Sequence, residues 1–399
     1  MEPLTFITEP LLSDEFVQYR AIAPLGSWLS RRFDVTVASP YIAPTVERRL
    51  EDVGIEAVSG AAWFPPLRHA RDEIPSYVAS WGRDSLLGLN GRRLGRLLKG
   101  RSDLRVNMSM TSAVPADVWY IQGRPIGPTL QTIGPSLRRS LRLMSEYLGP
   151  TAGMVDHRHM RAVAHVSQQV YANSESLRSW FLQHGIPVQG VLPNYFYPVD
   201  FAPTTNNPRR DYVLVYMGKE TEMNTVRSLA QSGLPIKVFG GKSGGWIQSS
   251  RGSDDDPNIE VMGRVSHDEL KDLYSNALFT AFPFTEEPFG LVPVESMACG
   301  TPVLTYARQG PGETVLDGLT GWLVDNPTEF RARSQWVWQN RFPSTFTRRC
   351  VNRASEFRLD AIAGRWERVI RKAFTQRSTG PEPSWPGQLL PSQRMTPSH

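Results

Sequence analysis

The feature that most narrows the fold of this 399-residue chain is an alternation of short apolar strands with amphipathic helices, run twice and interrupted once. Residues 4–8 read as a strand, 15–32 carry the helical spacing of apolar side chains, and 34–38 read as a second strand. Strand, helix, strand in that order argues for a parallel sheet, because parallel neighbours need a crossover between them. Residues 118–121 form a later strand candidate that runs into a turn-rich stretch at 122–128. Residues 170–175 read as a strand passing into a helix, with Asn173 or Ser174 as its N-cap. Between 193 and 210 the periodicity gives way to Asn, Pro and Thr, a linker composition. A second series follows, with strands at 212–217, 236–239, 259–262, 278–282 and 303–306 and helices at 222–231, 267–275 and 292–299. The expectation is two α/β domains, 1–200 and 201–375, and a flexible tail at 376–399 rich in Pro and Ser. Open parallel sheets bind ligands beyond the carboxyl ends of their strands, which points to the cleft between the domains.

Composition removes several alternatives. Apolar residues make up 40% and charged residues 21%, enough for substantial cores. No apolar stretch approaches the ~20 residues that cross a bilayer, and no signal peptide is recognisable. Two cysteines, Cys299 and Cys350, exclude a disulfide framework and a four-cysteine zinc site, and the expected compartment is a reducing cytoplasm. Basic residues number 44 against 39 acidic, too even a balance for a nucleic-acid partner. Between 83 and 142, however, eleven Arg and Lys face three Asp. Arg92, Arg93 and Arg96 sit among leucines, and Arg138, Arg139 and Arg142 repeat the pattern. Such helices suit either an ordinary solvated face or peripheral contact with the anionic inner face of a membrane.

The densest chemical signal spans 287–303. Glu287 stands in a loop after a strand, Gly290 lets the backbone come close to a ligand, and a helix starts near Leu291. Pro293 is compatible only with a first helical turn. The unpaired N–H groups of such a turn hold anions such as phosphate, and Glu295 would lie on the flank of the same helix. Two carboxylates beside a phosphate site suit hydroxyl-rich groups on either side of it, a sugar and a ribose. Taken singly, Glu287 also suits a loop charge and Glu295 a solvated helix position.

Other signals carry less. Residues 239–243 suggest a phosphate-binding loop, but Ile236 occupies its first glycine position; Lys242 stays a candidate phosphate contact. Asp254, Asp255 and Asp256 precede Pro257 and suit a solvated turn. Glu313, at a helix start, suits either a dipole partner or a ligand contact. His157, His159 and His165 lack the spacing of metal ligands and read as surface or hinge histidines.

Residues 287–303, with 309–318, 320–324, 173–175 and Gly218-Lys219, resemble the signature of retaining, family-four glycosyltransferases of the GT-B fold (glycosyl transferases group 1), with its Glu-x7-Glu motif. The resemblance implies an α/β chain of GT-B type, two Rossmann-like domains with a cleft between them, the first binding the acceptor and the second the donor. It implies transfer of a sugar from a nucleotide diphosphate sugar to an acceptor hydroxyl with retention, of hexosyltransferase type, without cofactor or metal. Glu287 would bind sugar hydroxyls near the reacting carbon and Glu295 the ribose. The amides of Gly290 and Leu291 would hold sugar and diphosphate oxygens. Lys219, after Gly218, would neutralise the leaving diphosphate, with Lys242 and Glu313 as further donor contacts. Gln122 and Arg124 would face a glycan, lipid-linked or small-molecule acceptor. The sequence departs from the pattern at Asn224, where a second Lys is usual, at 9–13, where Glu9-Pro10-Leu11-Leu12-Ser13 replaces a glycine pair, and after 118–121, where no His follows. These departures leave room for a non-catalytic sugar-nucleotide binding or partner subunit of the same fold.

Overall fold

The computed structural model describes residues 1–13, 17–60, 81–82, 85, 87–125, 139–196, 200–218, 220–240 and 256–377, the side chains of 17–18 and 139–151 apart. Seven strands, β1 (Glu2–Ile7), β2 (Phe33–Ser39), β3 (Glu56–Ser59), β4 (Leu104–Asn107), β5 (Ala116–Ile121), β6 (Ser167–Ala172) and β7 (Gly190–Val191), form one sheet in the order β3-β2-β1-β4-β5-β6-β7. Six more, β8 (Val213–Met217), β9 (Ile236–Gly240), β10 (Ile259–Gly263), β11 (Phe279–Phe282), β12 (Val303–Tyr306) and β13 (Gly321–Val324), form a second in the order β10-β9-β8-β11-β12-β13. Every pairing in both sheets is parallel.

The helices α1 (Val17–Leu29), α2 (Pro44–Glu51), α3 (Leu89–Leu97), α4 (Arg139–His165) and α5 (Glu175–Gln183) belong to the first series. To the second belong α6 (Met223–Gln231), α7 (His267–Asn276), α8 (Leu291–Ala298), α9 (Pro311–Thr314), α10 (Pro327–Asn340) and α11 (Thr345–Ser355), and α12 (Leu359–Arg377) closes the described chain. Successive strand residues point to opposite faces, and both faces of the second sheet are covered. Leu214, Phe282 and Val303 enter one core, while Val213, Val215, Phe279 and Ala281 enter the other. Burial on two sides is why these strands read as unbroken apolar runs. Cys299 and Cys350 are buried thiols.

The last described helix, α12, does not stay with the domain it follows in sequence. Ile362, Ala363, Trp366, Ile370 and Ala373 of α12 pack into the core built on β1, β2 and β4. The Trp366 ring meets Tyr120 edge-on at 4.7 Å and Phe6 at 6.4 Å. Residues 359–375, expected with the second domain, therefore complete the first; sequence order carries no sign of such a return. The helix also takes in the start of the expected tail, since Gln169 donates to Gln376 at 2.9 Å and Arg377 bonds the Asp103 carbonyl. Residues 378–399 lie outside the described part.

The linker is fastened as well. The Tyr195 hydroxyl accepts from the Leu25 amide at 3.3 Å and lies 2.9 Å from the Ala21 carbonyl, and the Phe196 amide donates to Phe357 at 3.1 Å. His159, expected at a surface or hinge, is buried in α4, and burial holds its imidazole pKa down at about 4. In α3 the Leu94 side chain is buried while Arg92 and Arg96 face outward beside the partly exposed Leu89 and Leu97. The side chains of Arg138, Arg139 and Arg142 lie outside the described part. No helix among the described residues is long and apolar enough to cross a membrane.

Two stability measurements follow. Trp366→Ala removes a fully buried indole and is expected to cost roughly 3–5 kcal/mol in denaturant unfolding. In the unfolded chain the His159 imidazole protonates near 6.5, whereas the folded chain resists it to about 4. The unfolded state thus binds more protons in that window, and stability, complete above it, falls as pH drops. His159→Gln is expected to flatten that fall by up to about 3 kcal/mol, read from unfolding midpoints across the window.

Candidate functional site

Strand β8 has β9 on one side and β11 on the other, so the order of the second sheet reverses beside it. Loops leaving neighbouring strands at such a reversal part in opposite directions and open a crevice. Here Gly218 follows β8 and residues 283–290 follow β11. The Thr221 hydroxyl accepts the Gly218 amide at 2.8 Å and donates to the Tyr216 carbonyl at 3.1 Å, which closes the turn after β8. Thr221 also bridges to Phe284, so the two loops lie side by side. Beneath them the rings of Tyr216 and Phe284 stack at 5.8 Å, and those of Phe284 and Phe282 at 4.0 Å.

Glu287 is half-buried in the loop after β11. Its Oε1 accepts the Gly290 amide at 3.1 Å, folding the carboxylate over the entry to α8. Gly290 is the N-cap at φ +86°, a left-handed backbone that costs an ordinary residue strain, and a Cβ there would sit 2.7 Å from Pro311. With glycine as the cap, no side chain caps α8, and its first turn faces the crevice entry. Pro293 falls in that first turn, as expected from its missing N–H.

Glu295 lies one turn further along α8. Its Oε2 accepts the Tyr274 hydroxyl at 3.2 Å. Burial, and then the Glu295 charge, raise the Tyr274 phenol well above its ordinary range, so it stays a proton donor. The two glutamates therefore flank one helix start, with one held by its own loop and the other by a buried phenol.

The loop is braced from β12. The buried Gln309 side chain donates to the Phe284 carbonyl at 2.6 Å and accepts the Glu287 amide at 2.8 Å. The Gly310 amide donates to the Glu287 carbonyl at 3.0 Å, and any side chain at Gly310 would run into the Pro288 carbonyl. These bonds tie the two loops together.

The remaining candidates are placed as follows. Glu313 accepts the amides of Glu175 and Ser176, at 2.8 and 2.7 Å, with burial raising its pKa. Arg124 pairs with Glu286 at 2.6 Å. Gln122 donates to the Met108 carbonyl at 3.4 Å and its own carbonyl accepts from Asn173 at 3.0 Å, a tie between strand ends. Glu9 is buried, accepting from Ser109 at 2.9 Å and from the Thr111 hydroxyl at 2.5 Å, with burial raising its pKa. Asn224 accepts a hydrogen bond from Arg227 at 3.2 Å. Lys219, Lys242, Asp254 and Asp255 lie outside the described residues. Among the described residues no group of three or more His, Cys, Asp or Glu is placed to hold a metal ion.

Residues 255–357, which carry this helix start and both glutamates, match the family model described as glycosyl transferases group 1. That stretch is similar to the group 1 family. The chain is 39% identical over 113 residues to the D-inositol 3-phosphate glycosyltransferase of Nocardiopsis dassonvillei, covering 26% of each chain. The chain thus spans about a quarter of the curated relatives it matches. Over 94% of this chain the fold is similar to that of sucrose-phosphate synthase from Thermosynechococcus elongatus (TM-score 0.60, 16% identity, all of that chain covered). It is also similar to HepE from Anabaena, solved with UDP (TM-score 0.61, 14% identity, 92% of this chain and all of that one). The architecture is the GT-B fold of two Rossmann-like sheets.

Several residues of this site are not announced by the motif. Gln309 lies in the matched stretch but reads there as a polar neighbour of glycines. The Tyr274 hydroxyl and the Arg124–Glu286 pair join residues far apart in sequence, for which spacing offers no signal. Gln309→Ala leaves two backbone groups of the Glu287 loop without partners. It is expected to cost about 1–3 kcal/mol in denaturant unfolding and to speed amide exchange at Glu287.

Proposed function

We propose that the chain is a retaining glycosyltransferase of hexosyltransferase type, which moves a sugar from a nucleotide diphosphate sugar to an acceptor hydroxyl. The observation that carries this is the pair Glu287 and Glu295 on either side of the α8 start, at the strand-order reversal. The HepE structures with UDP and with UDP-glucose support a nucleotide-sugar donor.

In this reading the Leu291 amide, at the positive end of the helix, takes up diphosphate and sugar oxygens, and the Gly290 amide joins it once the Glu287 carboxylate turns from that amide to the sugar. Glu295 accepts the ribose hydroxyls through the oxygen edge not bonded to Tyr274. Glu287 accepts sugar hydroxyls and holds the reacting carbon against the helix. Lys219, next to Gly218 in sequence, and Lys242 add positive charge on the leaving group. The bond from the anomeric carbon to the diphosphate oxygen breaks as a bond to the acceptor oxygen forms on the same face. The acceptor's proton passes to the departing phosphate oxygen, which makes a separate side-chain base unnecessary. For a lipid-linked acceptor, Arg92, Arg93 and Arg96 of α3 would rest on the anionic membrane face.

Asn224 favours a second reading, sugar-nucleotide binding without transfer. The test is a panel of nucleotide sugars and acceptors followed by mass spectrometry and by NMR of the anomeric configuration. Transfer with retention is expected in the wild type. Glu287→Ala is expected to lose about 100-fold or more in turnover. Turnover equal to the wild type in that variant would remove the role assigned to Glu287, and donor binding without transfer to any acceptor would favour the second reading.

A further inference from the structure

Among the described residues, two polar links from the first domain to the second end on the loop that carries Glu287 or on the helix that follows its brace. At the first link, Ser174 caps α5 by accepting the Leu177 amide at 3.1 Å, which leaves the amides of Glu175 and Ser176 to find another partner. That partner is Glu313, with one carboxylate oxygen for each amide. The first amides of a helix carry the positive end of its dipole, so a carboxylate suits them. Arg353 of α11 grips the same residue from behind, donating to the Glu313 carbonyl at 2.7 Å and the Thr314 carbonyl at 2.9 Å. Glu313 is thereby anchored on the body of its own domain while its side chain sits on the other.

At the second link, Arg124, just beyond β5, reaches across to Glu286, with its guanidinium over the Trp180 ring of α5 at 5.6 Å. Glu286 has φ +64°, a left-handed backbone that is uncommon outside glycine. Its next peptide group is the Glu287 amide, the one that Gln309 holds. The direction in which Glu287 leaves the loop therefore depends on a backbone that a residue of the other domain helps to hold. Through Gln309 and Gly310 the loop containing Glu286 and the loop leading to Glu313 are already one body.

We propose that Arg124–Glu286 and Glu313–α5 form a two-point clamp that sets the Glu287 loop only when the domains are closed. Arg124 and Glu313 are then positioning residues, not acceptor or donor contacts. When the domains part, Glu286 gives up its guanidinium partner and the α5 amides turn to water. The loop loses its cross-domain support and Glu287 its fixed aim. A nucleotide sugar resting on the second domain alone would be bound but not aligned, which keeps it from reacting with water before closure. The kinetic part of this proposal rests on the transferase reading above, whereas the closure itself does not.

The experiment uses the full chain with Arg124→Glu, Glu286→Arg, the double swap, Arg124→Lys, Glu313→Gln and Glu313→Ala. Spin labels at Glu51→Cys and Gln339→Cys, both exposed, report the distance between domains, and hydrogen exchange reports the amides of 284–290. Each single charge reversal is expected to broaden the distance and speed exchange, and the swap to restore both. Glu313→Gln is expected to fall between the wild type and Glu313→Ala. With a donor that the wild type uses, the reversals should lower kcat about tenfold or more while the UDP dissociation constant by calorimetry moves less than about twofold, with Arg124→Lys keeping part of the rate. Unchanged distances and exchange in the single variants, or a swap that restores neither, would overturn the clamp. A UDP constant that weakens in step with kcat would overturn the positioning role. If the wild type turns over no nucleotide sugar, the transferase reading fails, and the distance and exchange measurements still decide the clamp.

Discussion

A loop that leaves the end of a buried parallel strand has no sheet neighbour to bond its peptide groups, and water reaches them poorly. In this molecule the side-chain amide of Gln309 answers that need, serving one carbonyl and one amide of the loop after β11. Its planar group, with one donor side and one acceptor side, fits the spacing between Phe284 and Glu287. The aim of Glu287, the left-handed entry through Gly290 and the open first turn of α8 all follow from a loop held in that one shape. Buried polar groups of this kind specify geometry more than they add stability, since the net gain per hydrogen bond is small and the cost of losing one partner is large.

The second domain was largely legible in the sequence. Five of its strands, β8 to β12, fall within a residue or two of the apolar runs, while β13 was not marked as a strand. Pro293 and Gly290 marked the helix start, since each is compatible with few other backbone positions. The first domain was legible in β1, β2, β5 and β6 and in the Ser174 cap, but not in β3, β4 and β7. It was not legible in α12, whose apolar face is like that of any amphipathic helix and names no partner. Periodicity says which face of a helix is buried and nothing about the sheet that buries it.

The site shows the same division. Glu287 and Glu295 stood out because glycine and proline between them restrict the backbone locally. Arg124, Glu286 and Glu313 work through partners more than a hundred residues away, and their charges look like any surface charge in the chain. His159 illustrates the converse: beside two other histidines it suggested a surface group, yet its place on the helix turns it inward among apolar neighbours.

The return of α12 to the first sheet bears on how the chain is made. A ribosome releases β1 through β7 early, but the side chains that cover Phe6 and Tyr120 come only with α12, after the whole of the second sheet. Until residue 377 has emerged, the nascent first half must hold an apolar groove open, so its domain cannot finish folding as an independent unit during synthesis. The two halves mature together, joined by a helix translated after both sheets.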